Sequence, residues 1–124
     1  MNNLALIALG GAGGAVLRYS ISIFMIQLFG TSFPFGTLAV NVLGSFLLGA
    51  ISALAQLSHI SPEVKALFGV GFMGALTTFS TFSNETLLLI QAGELFKASL
   101  NVALNLGICL LMVYLGQQLI LSRV

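Results

Sequence analysis

Four long apolar stretches make up almost the whole of this 124-residue chain. The hydrocarbon core of a bilayer is about 30 Å thick, and a helix needs roughly 20 apolar residues to cross it. The stretches predict transmembrane helices at about residues 4–29, 35–57, 62–92 and 96–121, joined by short segments that contain Gly, Pro and Ser. We therefore expect one all-α membrane domain, residues 1–124, embedded in a lipid bilayer.

The composition excludes a water-soluble protein. Hydrophobic residues account for 58% of the chain and charged residues for only 6%, which is far too apolar for a soluble domain of this size. No nucleic-acid partner is expected. No basic residue precedes the first apolar stretch, so the first helix is expected to be retained rather than removed as a signal peptide. We interpret Cys109, the single cysteine, as a packing residue of the fourth helix.

The basic residues give almost no preference for one orientation in the membrane. Four helices place Lys65 and Arg123 on one side, and Lys97 and Arg18 on the other. Lys and Arg near helix ends favour the cytoplasmic side, so an even distribution allows insertion in both orientations. A single four-helix unit also has little interior for an aqueous path. These two points lead to the hypothesis of an antiparallel, dual-topology homodimer.

The third apolar stretch contains a segment that disfavours helix. Three glycines between 69 and 74 are followed by Thr77 and Thr78, two adjacent β-branched residues. We predict a break near residues 74–79. Unwound backbone at membrane depth must be satisfied by protein, water or an ion. Carbonyls between Gly74 and Thr77 could hold a cation, and the restarted half-helix would direct its first N–H groups inward, where they suit an anion.

Two aromatic residues follow the break. Phe79 and Phe82 are three positions apart and share one face of a helix, with Ser80 and Thr81 on adjoining faces. Such a pair usually indicates packing. Its position among polar residues favours another role, because the positive edge of an aromatic ring can approach an anion. Ring edges with an amide and hydroxyls would suit a small anion that sheds its water gradually.

Asparagines lie inside the second and fourth helices. The amide of Asn41 cannot be satisfied within its own helix, so it must meet another helix, water or a ligand. Asn101 and Asn105 are four residues apart and form a second polar stripe that could face the first. Each is a candidate pore-lining residue, while polar contact between helices is the alternative.

Arg18 and Glu85 are the charges placed well inside helices. Charge at the bilayer centre costs about 3 kcal/mol, so each needs an explanation. Arg18 either extends to the far interface or lines a vestibule that attracts anions. Glu85 is either paired within a dimer or functional. Glycines of the first helix include a Gly10-x-x-x-Gly14 spacing, which indicates close helix packing; a phosphate-binding loop is excluded because no strand precedes it.

A long motif in the third helix resembles the signature of the Fluc (also called CrcB) fluoride channels. It runs Gly-Phe-Met-Gly-Ala-Leu-Thr-Thr-Phe-Ser-Thr-Phe-Ser-x-Glu from residue 71 to residue 85. The resemblance covers the whole chain: the first helix is rich in Gly and reaches Arg18-Tyr19, and the second helix contains the motif Gly-Thr-Leu-x-Val-Asn-x-x-Gly-Ser-Phe-x-x-Gly over residues 36–49.

The resemblance implies a passive, fluoride-selective channel with two pores in an antiparallel dimer, located in the bacterial cytoplasmic (inner) membrane. It implies an aromatic box of Phe79 and Phe82 and fluoride binding by the Asn41 amide. The remaining implied roles are a polar track of Ser80 and Thr81, a vestibule arginine at Arg18, the family's acidic residue at Glu85, and a structural Na⁺ held by the backbone carbonyls of Gly74 and Thr77. Asn101 and Asn105 replace the Ser, Thr or Tyr frequent in relatives, so the lining there stays open.

The alternative is a proton-coupled exporter similar to the small multidrug transporters, which share the four helices, the length and the dual topology. Those proteins are expected to carry an acidic residue in the first helix, whereas this chain has Arg18 there and no carboxylate. A purely structural membrane subunit would leave Asn41 and Glu85 without a role. No catalytic group is recognised, and the chain is not expected to be an enzyme.

Overall fold

The computed structural model of the protein describes residues 2–123. It confirms the prediction of four helices that are long and apolar enough to cross a membrane. These are helix 1 (Asn3–Phe29), helix 2 (Phe35–Gln56), the third span (Pro62–Gln91) and helix 4 (Leu95–Leu121). The predicted interruption is also confirmed, and it divides the third span into helix 3a (62–76) and helix 3b (Phe79–Gln91).

The helices begin and end where local side chains satisfy the terminal backbone groups. Asn2 Oδ1 accepts a hydrogen bond from the Leu4 N–H at 2.8 Å, and Ser61 Oγ accepts one from the Val64 N–H at 3.2 Å. Pro62 takes the first helical position, where its missing N–H costs nothing. Gly30 and Gly93 follow helices with φ of 77° and 78°, a conformation that glycine adopts without strain.

Glycines bring helix 1 into direct backbone contact with helix 3a. A Cβ added at Gly10 would overlap the Leu67 carbonyl oxygen, and one at Gly14 would overlap the Phe72 carbonyl oxygen. This confirms that the Gly10-x-x-x-Gly14 spacing serves close packing. Helix 2 and helix 4 meet in the same way, since a Cβ at Gly49 would overlap the Val113 carbonyl oxygen.

A small apolar core lies immediately before the break. Val40, Met73 and Leu76 are buried together, and Leu17 and Ile21 of helix 1 pack against them. The end of helix 3a is therefore fixed from two sides, by helix 1 and helix 2. Two stretches of π-helical backbone adjoin this region, Lys65–Met73 in helix 3a and Leu104–Ile108 in helix 4. Such segments occur often at functional sites.

Candidate functional site

The break consists of two residues in extended backbone. Thr77 has φ −83° and ψ 155°, and Thr78 has φ −151° and ψ 123°. Thr78 also caps the N-terminus of helix 3b, because its Oγ1 accepts a hydrogen bond from the Thr81 N–H at 3.1 Å, as expected of a threonine at this position. The unwound segment is thus narrower than the predicted 74–79, because Gly74, Ala75 and Leu76 are still helical.

The break leaves carbonyl oxygens of helix 3a without their usual helical donors. The Thr78 N–H, which would otherwise bond to Gly74, donates instead to Asn41 Oδ1 at 2.8 Å. Among residues 2–123, no hydrogen bond reaches the carbonyl oxygens of Gly74 or Thr77. The Ala75 carbonyl oxygen accepts from Arg18 Nε at 3.0 Å. Arg18 is therefore held next to the break by its Nε.

Asn41 binds the unwound backbone with both ends of its amide. Its Oδ1 accepts from the Thr78 N–H, and its Nδ2 donates to the Thr78 carbonyl at 3.1 Å and to Asn105 Oδ1 at 2.9 Å. Both hydrogens of the Asn41 amide are therefore used within the subunit. The polar stripes of helix 2 and helix 4 do face each other, and they meet at this contact.

The two asparagines of helix 4, Asn105 and Asn101, extend these hydrogen bonds from Asn41 to a residue farther along helix 3b. Asn105 Nδ2 donates to Asn101 Oδ1 at 3.0 Å, and Asn101 Nδ2 donates to Thr86 Oγ1 at 2.9 Å. Thr86 Oγ1 in turn donates to the Phe82 carbonyl at 2.8 Å. Asn101 is completely buried and Asn105 is 5% exposed, so each amide lies where an unpaired polar group would be costly.

The aromatic pair lies on the first turn of helix 3b. The ring centroids of Phe79 and Phe82 are 5.4 Å apart, and the two ring planes are tilted by 59° relative to each other. Phe82 is 6% exposed, whereas Phe79 is 72% exposed on this single subunit. Ser80 is also exposed, and Thr81 Oγ1 accepts a hydrogen bond from Thr78 Oγ1 at 3.1 Å.

Phe79 and Phe82 border a cavity of about 330 Å³, whereas Ser80 and Thr81 are not among the residues that line it. Its lining comes from helix 2, the break, the aromatic pair and helix 4 and consists of Asn41, Ser45, Thr77, Thr78, Phe79, Phe82, Asn105, Leu106, Cys109, Leu110 and Val113. The lining therefore combines ring edges, hydroxyls and amides, and it contains no ionisable acid or base other than the Cys109 thiol. Asn101 is not part of it.

Glu85 faces a separate cavity of about 270 Å³ between helix 3b and the segment that joins helices 1 and 2. Thr37 of helix 2 lines the same cavity. Among the described residues, Glu85 Oε1 is buried without a hydrogen-bond partner. A buried oxygen of this kind is costly unless something outside the subunit satisfies it. No cluster of His, Cys, Asp and Glu that could hold a metal ion is found between residues 2 and 123.

Three features of the site were not predicted from the sequence. The role of Thr78 as the capping residue before helix 3b could have been found, because threonine is favoured at that position. The bond from Arg18 to the Ala75 carbonyl and the bond from Asn101 to Thr86 carry no local signal, because each joins helices that are distant in the chain.

Comparison with known proteins matches residues 5–117 to the family described as CrcB-like protein, Camphor Resistance (CrcB). Proteins named fluoride-specific ion channel FluC are similar over all 124 residues, with 100% of both chains covered. The one from Shewanella sp. (strain ANA-3) is 75% identical, that from Shewanella baltica (strain OS185) is 74% identical, and that from Shewanella oneidensis is 75% identical.

Proposed function

The chain belongs to the CrcB family, and from this membership we infer that it is a fluoride channel. It is a multi-pass protein of the bacterial inner membrane and a channel rather than an enzyme. Its role is to let cytoplasmic fluoride leave the cell passively. Hydrogen fluoride crosses membranes and dissociates in a neutral cytoplasm, so the trapped anion needs only an exit that is driven by the membrane potential.

The cavity at the break is the observation that supports this function best. A small, strongly hydrated anion needs donors and positive ring edges that replace its water. Phe79 and Phe82 supply the edges, and the hydroxyls of Ser80 and Thr81 lie beside them on helix 3b. Among the described residues, the N–H groups of Phe79 and Ser80 have no acceptor, and they lie at the N-terminus of helix 3b, where anions are favoured.

Asn41 has two roles in this proposal. In the subunit it holds the unwound backbone at Thr78. Asn41 also lines the cavity beside the aromatic pair, so a passing fluoride can take the Nδ2 hydrogen that Asn105 otherwise accepts. Asn105 is then the alternative acceptor that keeps the amide paired when the anion has left. Arg18, held at the break, adds a positive charge that attracts anions toward it.

A second, oppositely inserted copy completes the pore. On one subunit Gly74, Phe79 and Ser80 are exposed close to the break, and a Cβ added at Gly74 would meet nothing within 4 Å. Irregular backbone does not occur against lipid hydrocarbon, so this surface needs protein or water against it. An antiparallel homodimer satisfies that need, and the unpaired Glu85 Oε1 likewise needs a group from outside the subunit.

The free carbonyl oxygens of Gly74 and Thr77 fit a sodium ion at the centre of this dimer. Both oxygens lack hydrogen-bond donors among residues 2–123, and unwound carbonyls are suitable ligands for Na⁺. Two copies would contribute four such oxygens. The ion would supply a fixed positive charge that satisfies the freed backbone and joins the subunits.

Passive fluoride efflux from liposomes tests the function. Protein reconstituted into vesicles loaded with potassium fluoride should release fluoride when valinomycin carries potassium out to balance the charge. Vesicles loaded with potassium chloride should release no chloride under the same conditions. The rate should not depend on an imposed proton gradient. Release that requires an opposing proton gradient, or no release at all, would contradict the channel.

A further inference from the structure

Five hydrogen bonds form one directional chain that leaves helix 3b and returns to it. The donors and acceptors run in order from the Thr78 N–H through Asn41, Asn105, Asn101 and Thr86 to the Phe82 carbonyl, with donor–acceptor distances between 2.8 and 3.0 Å. The chain starts at Thr78, the capping residue just before helix 3b, and ends one turn later at Phe82. Phe79 and Phe82 lie within the segment that it encloses.

Asn101 and Thr86 contribute to this chain without lining the cavity at the break. We call the aromatic pair Phe79 and Phe82 the filter. Asn101 is fully buried, and neither residue is among those that surround the 330 Å³ cavity. The hydroxyl of Thr86 bonds to the carbonyl four residues earlier, which is common in membrane helices. What distinguishes Thr86 is that the same hydroxyl also accepts from a buried amide of helix 4.

We propose that Asn101 and Thr86 are positioning residues of the filter: through the hydrogen-bond chain they fix the first turn of helix 3b against helix 4 and thereby set the positions of the Phe79 and Phe82 rings. The proposal rests on the function proposed above. Helix 3b packs against the start of helix 4 through side chains and has no glycine contact of the kind that fixes helix 3a, so these directional bonds fix the position of its first turn within that contact. Ring positions in turn determine which anion fits between the ring edges.

Thr86→Val tests the proposal, because valine has the shape of threonine and lacks the hydroxyl. It removes the acceptor of Asn101 and the donor to the Phe82 carbonyl. We expect fluoride efflux to fall by about tenfold or more, because two hydrogen bonds are lost, and chloride permeation to rise relative to fluoride. Gel filtration should still show the wild-type oligomer. Thr86→Ser keeps the hydroxyl and should restore both the rate and the selectivity.

Ser83→Ala is the matched control. Ser83 Oγ donates to the Phe79 carbonyl at 2.9 Å, the same kind of bond on the same helix, yet Ser83 is exposed and lies outside the chain. Its loss should leave efflux and selectivity unchanged. Should Thr86→Val not yield folded protein, Asn101→Leu interrupts the chain at its neighbouring member and is measured in the same way.

The outcomes separate this proposal from the function it rests on. A silent wild-type protein overturns the channel itself. A conducting wild type with unchanged rate and selectivity in Thr86→Val overturns the positioning role alone. Equal losses in Thr86→Val and Ser83→Ala also overturn it, because the effect would then belong to any hydroxyl of helix 3b.

Discussion

The two halves of the third span are held in place by different forces. Helix 3a lies against helix 1 with backbone touching backbone, because Gly10 and Gly14 present no side chain to it. Helix 3b makes its described polar contacts through Asn41 at its start and through Asn101 at Thr86. One half is fixed by close packing and the other by hydrogen bonds.

The difference suits two separate tasks: helix 3a fixes the place of the break, and helix 3b carries the residues proposed to select the anion. Contact through glycine tolerates no added atom, so helix 3a ends at a fixed place and the break starts there. Hydrogen bonds have preferred lengths and directions, and a short chain of them can place two rings within a few tenths of an ångström. The residues proposed to form the filter, Phe79 and Phe82, lie on the half whose position depends on polar contacts, and substitutions in the two halves should therefore fail in different ways.

The largest effect is expected in the packed half. Gly10→Ala and Gly14→Ala each place a methyl group where the Leu67 or Phe72 carbonyl oxygen lies. The helices must separate, which we expect to lower the free energy of unfolding by about 3 kcal/mol. The yield of monodisperse protein in mild detergent should fall to near zero, and denaturant titration of any remaining protein gives the change in stability.

Gly11→Ala is the control for this effect. The atom nearest to an added Cβ at Gly11 is the Gly71 carbonyl oxygen at 3.9 Å, an ordinary contact. Alanine also favours helix over glycine by about 1 kcal/mol. The Gly11→Ala protein should therefore be at least as stable as the wild type. Similar yields for the three alanine variants would show that close packing does not hold helix 3a.

The second effect should abolish conduction and leave folding intact. Phe79→Ile and Phe82→Ile remove the ring edges proposed to replace the water of fluoride. We expect efflux to fall to the background of empty liposomes in both variants, while gel filtration still shows the wild-type oligomer. Phe79 gives the clearer test because its ring is 72% exposed on the subunit, so isoleucine there leaves no internal cavity.

Helix 3a offers a matched aromatic pair as the control. Phe68 and Phe72 have ring centroids 6.5 Å apart in an edge-to-face arrangement, and Phe68 is 47% exposed. Phe68→Ile should keep the wild-type rate of fluoride efflux. If it abolished efflux as Phe79→Ile does, the loss would follow from removing any aromatic pair of the third span, and the filter could not be assigned to helix 3b.

The sequence was sufficient for the four helices, the break and the Gly10-x-x-x-Gly14 packing. Each of these depends on residues close together in the chain, and hydrophobic length and helix propensity report on them directly. The roles proposed for the filter residues came from the resemblance of a long motif. What the sequence did not reveal were the contacts between distant residues, such as Asn101 with Thr86, because a buried amide indicates a need for a partner without identifying it.

The smallest effect should appear at Arg18, which joins helix 1 to the break. Arg18→Gln keeps a nitrogen donor at the same number of bonds from the backbone as Nε, but it removes the charge. Arg18→Met removes both the donor and the charge at similar length. Both variants should lose anion attraction, so efflux should fall by up to about tenfold at low ionic strength and by less in high salt.

Stability should distinguish the two variants, because only methionine leaves the Ala75 carbonyl oxygen without its donor. We expect Arg18→Met to lower the free energy of unfolding by about 1 kcal/mol relative to Arg18→Gln. Equal stabilities of Arg18→Met and Arg18→Gln would mean that the Nε hydrogen bond does not stabilise the break. Equal efflux in wild type and Arg18→Gln would mean that the charge of Arg18 does not attract fluoride. Arg18 would then contribute neither to the stability of the break nor to anion attraction, and packing against helices 1 and 2 alone would fix the end of helix 3a.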